Sequence, residues 1–127
     1  MGYLNVITLL MPARDPSLDV LLDLDGQVFV VDPDGGYWVR FVVTQVSVAA
    51  DKPHGLDYSL TLHGPDGQRI LGFDNAHRVA RQRRGEPQDH RHRLGTVKSY
   101  EYHDAATLLN DFWEAVDVVL RERGVIP

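Results

Sequence analysis

Two histidines and two arginines alternate in the segment His90-Arg91-His92-Arg93. If this segment is extended, both imidazoles lie on one side and both guanidinium groups on the other. An unperturbed imidazole has a pKa of ~6.5, so one histidine can accept a proton while the other donates one near neutral pH. A nearby arginine can bind a phosphate and stabilise charge that develops on it. These groups meet the needs of a ribonuclease that works without a metal.

The predicted strand before this segment ends at Asp74-Asn75, where a basic stretch begins. We predict that Asp74 orients one of the histidines. The predicted catalytic residues are therefore Asp74, His90, Arg91 and His92. The remaining polar side chains of the stretch are predicted to bind the substrate; they are Asn75, His77, Arg78, Arg81, Arg83, Arg84 and Arg93. This hypothesis requires no cofactor and no metal.

Three other interpretations of the same residues stay open. His90 and His92, with either Asp74 or His77, offer three ligands for a metal with an open position for water, as in a metal-dependent hydrolase. The arginines alone can form a non-catalytic module that binds RNA or a protein partner. The stretch can also be a solvated surface loop whose histidines are inert. His54 is interpreted as a turn residue.

The charge of the chain is unevenly distributed. The 127 residues carry a net charge of −5, yet residues 76–95 carry +4, against −6 for residues 1–75 and −3 for residues 96–127. A phosphate backbone responds to a local patch rather than to the charge of the whole chain. The distribution therefore favours RNA as a partner. We interpret residues 76–95 as a basic, partly mobile insert.

The residues that flank the insert predict the elements that must position it. Val20–Leu24 and Gln27–Asp32 read as two strands of a hairpin, because Asp25-Gly26 supplies the turn between them. Apolar residues on both faces predict a central strand over Tyr37–Val48 that is covered on both sides. Further strands are predicted over residues 57–63, which alternate cleanly between polar and apolar side chains, and over residues 68–73 and 97–102.

A C-terminal amphipathic helix completes the predicted fold. Asp104 is a suitable N-cap, and apolar residues recur at helical spacing from Leu108 to Leu120. The pattern predicts one α+β domain over residues 1–127. We expect an antiparallel sheet of five to six strands with the C-terminal helix packed on one face.

Composition excludes several functional classes. The chain has no cysteine, which rules out a disulfide scaffold, a thiol nucleophile and a cysteine zinc site. The apolar run at residues 1–11 is too short to cross a bilayer and lacks the pattern of a signal peptide. We expect a cytoplasmic protein that makes no contact with a membrane.

The order of these pieces resembles the TumE-type toxins of bacterial toxin–antitoxin modules. The resemblance extends from about Tyr37 to Val118, and its most specific parts are Gly72-Phe73-Asp74-Asn75 and Asp89-His90-Arg91-His92. Supporting parts are the segment His54–Leu60 and Asp111-Phe112 in the closing helix. Between Asn75 and Asp89 the family usually has a short link, whereas this chain has a longer, arginine-rich one.

The resemblance implies a small growth-inhibiting toxin that is neutralised by a DNA-binding antitoxin. RNA cleavage is expected by analogy with other small toxins. The positions that the resemblance marks as site candidates are Asp74, Asn75, His90, Arg91 and His92. The resemblance leaves a homodimer open.

Overall fold

Six antiparallel strands form one sheet, and their order in space follows their order in the chain. The computed structural model describes residues 15–75 and 89–127. The strands are β1 (Val28–Val30), β2 (Trp38–Gln45), β3 (Leu56–His63), β4 (Arg69–Asp74), β5 (His90–Arg93) and β6 (Thr96–Ser99). The helices are α1 (Leu18–Asp23) and α2 (Ala105–Glu122). The predicted α+β fold class, with an antiparallel sheet and a C-terminal helix, is confirmed.

Helix α2 covers one face of the sheet, and the core lies between them. The rings of Phe41 on β2 and Phe73 on β4 both meet Phe112 of α2 edge to face, at centroid distances of 5.6 and 5.9 Å. All three side chains are fully buried. Burying one such side chain stabilises the fold by about 1.5–3 kcal/mol, so this contact is a major tie between sheet and helix. None of the helices in the described part of the chain is long and apolar enough to span a membrane.

The N-terminal part of the predicted hairpin is wrong, because Leu18–Asp23 forms helix α1. Leu18 and Leu21 are both buried, and helix α1 packs against β2 and α2. Residues three apart share a face in a helix but lie on opposite faces of a strand. Tertiary packing on one face therefore selects the helix over the strand.

Strand β2 is shorter than predicted, and only one of its faces is covered. Val39, Phe41 and Val43 are buried, whereas Val42 between them is 37% exposed. The alternation follows from the position of β2, which pairs with β1 and β3 and contacts helix α1 on the core side only. The face of the sheet away from α2 is called the open face below.

Strands β5 and β6 form a tight hairpin. Leu94 and Gly95 connect them, both with positive φ, at 45° and 89°. Two consecutive positive φ values are typical of the type I′ turn, which matches the twist of antiparallel strands. A leucine rarely adopts such a φ, so this turn is difficult to predict from the sequence. The turn fixes His90–Arg93 as a strand. Strand β6 ends at Ser99, which is earlier than predicted.

Candidate functional site

Strand pairing brings Asp74, His90 and His92 together on the open face. Asp74 lies directly opposite His90, and Gly72 lies directly opposite His92. Residues directly opposite each other, and residues two apart on one strand, share a face of an antiparallel sheet. The two imidazoles and the carboxylate therefore form one cluster at the end of β4.

The cluster has the spacing of groups that can share one small ligand. Asp74 Oδ2 lies 3.0 Å from His92 Nε2, and the ring centroids of His90 and His92 are 6.3 Å apart. His90 is 9% exposed. Although the Asp74–His92 distance is that of a hydrogen bond, Nε2 has no well-aligned hydrogen bond among the described residues. The two atoms are in close contact, but they are not aligned for a directed hydrogen bond.

Arg91 and Arg93 lie on the opposite face of the sheet from the two histidines. The Arg91 guanidinium carbon is 5.4 Å from the ring centroid of Phe73, a core residue under helix α2. Arg93 forms an ion pair with Glu122 near the end of α2. The prediction that Arg91 stabilises charge between the imidazoles therefore does not fit the geometry, since the strand itself separates the two groups.

Asn75 is a structural residue in this fold. Its side chain is fully buried. Oδ1 accepts a hydrogen bond of 3.0 Å from the Tyr58 backbone N–H, and Nδ2 donates one of 2.7 Å to the Leu56 carbonyl. The amide thus satisfies backbone groups at the start of β3, beyond the pairing of β3 with β4. This arrangement leaves no side-chain atom of Asn75 to contact a substrate, contrary to its predicted role.

The other predicted substrate-binding residues, namely His77, Arg78, Arg81, Arg83 and Arg84, lie outside the described residues. The metal interpretation can be tested in part. Within residues 15–75 and 89–127, no group of three His, Asp or Glu side chains is placed to hold a metal ion. His90, His92 and Asp74 therefore do not form the three-ligand set, and the version with His77 falls outside the described ranges.

A second cluster, which the sequence interpretation missed, lies on the helix side of the sheet. Asp89 is 3% exposed. The Tyr58 hydroxyl donates a hydrogen bond of 2.5 Å to Asp89 Oδ2, and His54 Nε2 lies 3.6 Å from Asp89 Oδ1. Burial, and then the negative charge of Asp89, raise the pKa of the Tyr58 hydroxyl far above its usual value. Tyr58 therefore stays protonated and keeps its role as donor.

No sequence spacing could have revealed this second cluster. His54 sits in the turn before β3, and Asp89 immediately precedes β5. They meet because β4 pairs with both β3 and β5, which returns the chain to the same end of the sheet. The one available signal was that His54 and Asp89 both belong to segments that carry the family resemblance.

Comparison with known proteins gives one match. The family model described as Toxin TumE matches residues 26–120 of the 127-residue chain. No match was found among curated proteins or among solved structures. A family of this kind implies a toxin with a cognate antitoxin as its partner. Since the matched segment includes all six strands and helix α2 as far as Leu120, the chain belongs to the TumE toxin family.

Proposed function

We propose that this toxin is a metal-independent ribonuclease whose acid and base are His90 and His92, with Asp74 orienting His92. One observation carries the proposal: Asp74 Oδ2 lies 3.0 Å from His92 Nε2, with His90 beside them on the same face. A base held by a third group, with a second imidazole near it, is the arrangement that general acid–base chemistry requires.

The proposed reaction assigns one proton transfer to each imidazole. A carboxylate next to Nε2 favours the His92 tautomer that carries its proton there, which leaves Nδ1 to accept one. His92 takes the proton of a ribose 2′-hydroxyl, whose oxygen then forms a bond to the adjacent phosphorus. The bond from phosphorus to the 5′-oxygen breaks, and His90 protonates that oxygen. The products are a 2′,3′-cyclic phosphate and a free 5′-hydroxyl.

Phosphate binding is assigned to the arginine-rich segment of residues 76–88 rather than to Arg91. Residues 76–88 contain Arg78, Arg81, Arg83 and Arg84, and they connect Asn75 directly to Asp89. Both ends of this segment adjoin the histidine cluster, because Asp74 pairs with His90. We propose that Arg78 stabilises the charge on the phosphorus centre and that the other arginines hold neighbouring phosphates.

A second candidate function is a non-catalytic RNA- or partner-binding module. It is favoured by the basic cleft on the helix side of the β5–β6 hairpin, a cavity of about 290 Å³ lined by Arg91, Arg93, Thr96 and Lys98. These cations face away from the histidines, so they can bind an anionic partner without taking part in proton transfer. This candidate predicts salt-sensitive binding and no dependence of activity on His92.

The deciding experiment measures RNA degradation by the antitoxin-free protein in EDTA. We compare the wild type with His92→Ala and with His63→Ala as a matched control. His63 lies on the same open face but at the far end of β3, where its ring contacts Thr61 Oγ1 and the Gly67 carbonyl at 3.0 and 3.2 Å. We expect the wild type and His63→Ala to cut RNA, and His92→Ala to lose activity by about 10²–10⁴-fold.

Each other result contradicts the proposal in a defined way. If His92→Ala cleaves RNA as fast as the wild type, His92 is not the catalytic base. Cleavage that stops in EDTA points to a metal. RNA binding without cleavage supports the binding module instead. Thermal unfolding of each variant shows whether the substitution has changed the fold.

A further inference from the structure

A cavity of about 490 Å³ opens at the end of the sheet where the second cluster lies. It is within the ~300–1,000 Å³ range that is usual for small-molecule sites. Its polar walls include Asp15, Gln45, His54, Tyr102 and His103, and its apolar walls include Val46 and Val48. The ribonuclease proposed above uses none of these residues, so the cavity needs an explanation of its own.

His54 presents reactive nitrogen atoms at this cavity. Its ring packs against Tyr102 with a centroid distance of 4.0 Å and an interplanar angle of 32°. Nε2 points toward Asp89 Oδ1 at 3.6 Å, and Nδ1 makes no hydrogen bond within the described residues. His54 is not among the residues with an enclosed, unsatisfied nitrogen. Nδ1 is therefore accessible and able to accept a hydrogen bond from a ligand.

Asp89 lies behind this imidazole, on the side away from the cavity, and Tyr58 in turn contacts Asp89. A buried carboxylate is costly unless it is hydrogen-bonded, and the 2.5 Å bond from Tyr58 provides one partner. The second oxygen of Asp89 faces His54. A carboxylate at Nε2 favours the tautomer with its proton on that nitrogen, which leaves the lone pair on Nδ1.

We propose that this cavity binds one ribonucleotide of the RNA strand and that His54 Nδ1 accepts the hydrogen bond of its 2′-hydroxyl. Asp89 is the positioning residue that fixes the tautomer. The proposal deepens the ribonuclease function above and rests on it for the identity of the strand. It gives the toxin a means of distinguishing RNA from DNA, since the 2′-hydroxyl is the group in which they differ.

The chemistry of the cavity walls favours a nucleoside over a bare phosphate. Among the described lining residues there is no arginine or lysine to bind an anion. The aromatic ring of Tyr102 and the apolar side chains of Val46 and Val48 suit a flat base. Gln45 offers both a donor and an acceptor amide group to its edge.

The position of the cavity also suits a strand that is cut at His90 and His92. Asp89 and His90 are consecutive, yet Asp89 contacts the helix-side cluster while His90 faces the open side. Both sites therefore lie at the same end of the sheet, on its two faces. A single strand that bends around this end can place one nucleotide in the cavity and the next phosphate at the histidine pair.

The test is a nuclear magnetic resonance titration of the imidazole signals of the full chain. The probes are the nucleosides adenosine and uridine and their 2′-deoxy counterparts. We expect the His54 signals to shift with a ribonucleoside, and the 2′-deoxy form to bind about tenfold more weakly because it lacks the hydrogen-bonding hydroxyl. Absence of a shift at His54, or equal affinity for both sugar types, overturns the proposal.

Two variants separate a binding role from a structural one. His54→Gln should lose the ribose preference, whereas His63→Ala should keep it. In Asp89→Asn, the nitrogen chemical shifts of His54 should change from the values of a single tautomer toward those of a mixture. A loss of protein stability alone would not produce this change. If the His54 tautomer is the same in Asp89→Asn as in the wild type, Asp89 does not position the ring.

The outcome is separable from that of the ribonuclease proposal because nucleoside binding requires no cleavage. A protein that binds ribonucleosides at His54 but cuts no RNA contradicts the ribonuclease alone. A protein that cuts RNA in a His92-dependent way, with no response at His54, contradicts the cavity proposal alone.

Discussion

At the scale of single residues, neighbouring positions on one strand serve different faces of the sheet. His90 and His92 join Asp74 on the open face, whereas Arg91 and Arg93 lie under or beside helix α2. The alternation of side chains along a strand imposes this separation. The basic, histidine-rich segment is therefore divided between two surfaces, as its alternation predicts for an extended chain.

Replacing Tyr58 with Phe should destabilise the fold at neutral pH. The change removes the donor to Asp89 Oδ2 and leaves a buried carboxylate oxygen without it. The expected cost is about 1–3 kcal/mol in the free energy of unfolding at pH 7, measured by urea denaturation. Tyr37→Phe is the control, because the Tyr37 hydroxyl has no hydrogen bond among the described residues. A cost below that of Tyr37→Phe contradicts the structural role of the bond.

The same variant should change the response to alkaline pH. Folding raises the pKa of Tyr58, so the stabilisation is complete below the unfolded value of ~10 and is lost as pH rises above it. The free energy of unfolding of the wild type should fall above about pH 10, with Tyr58 contributing up to about 1.4 kcal/mol per pH unit. Tyr58→Phe should show a shallower fall over the same range.

At this scale, part of the site follows from the sequence and part does not. Asp74 could be predicted to meet the histidines because it ends one strand and they form the next. His54 and Asp89 could not be paired in advance, since only the register of three strands brings them together. Asn75 was misinterpreted because a polar side chain at a strand end satisfies either a ligand or the backbone, and its burial decides which.

At the scale of elements, three side chains accept hydrogen bonds from the backbone N–H groups at the start of helix α2. Asp104 accepts from the Thr107 N–H at 2.7 Å, as a predicted N-cap should. Two residues from the far end of the chain satisfy the next free N–H groups: Asp15 accepts from Ala105 at 2.7 Å, and the Ser17 hydroxyl accepts from Ala106 at 2.9 Å. The local cap could be predicted from sequence, and the distant ones could not.

Replacing Asp104 with Ala should therefore destabilise the protein by about 1 kcal/mol, the usual cost of losing an N-cap. Asp117→Ala is the matched control, because Asp117 is an exposed residue in the interior of the same helix. The comparison is made by chemical denaturation at neutral pH. Equal stability of the two variants contradicts the capping role.

The elements that the sequence predicted well share a feature. β3 alternates cleanly and α2 has a continuous apolar stripe, so each has one buried face throughout its length. Helix α1 failed as a prediction because its six residues are too few to show a period. Its helical conformation is determined by packing against α2 and β2, and the local sequence does not encode these contacts.

At the scale of the whole molecule, the two residues that flank the segment 76–88 contact the same loop. Lys52 Nζ donates to the Asn75 carbonyl at 2.6 Å, and His54 lies beside Asp89. Asn75 and Asp89, which flank residues 76–88, therefore both lie next to the loop that carries Lys52 and His54. Residues 76–88 hold four arginines and one glutamate, a net charge of +3 in an acidic protein.

Replacing residues 76–88 with a short Gly-Ser linker should preserve the fold and weaken RNA binding. Stability should change little, because loop closure depends only weakly on loop length. The salt dependence of binding is the discriminating measurement: for single strands the log–log slope changes by ~0.7 per phosphate contact, so the loss of four arginines should make it shallower by up to about 3. Unchanged affinity and slope would move RNA binding to the basic cleft.

The sequential order of the strands also has a consequence for how the protein folds. Every neighbouring pair in the sheet is consecutive in the chain, so most pairings can form as local hairpins with little loss of chain entropy. Residues 75–89 separate β4 from β5 by more than any other pair of consecutive strands among the described elements. This pairing brings Asp74 to the histidines, so we expect the candidate site to assemble late in folding, after β2–β4 have formed.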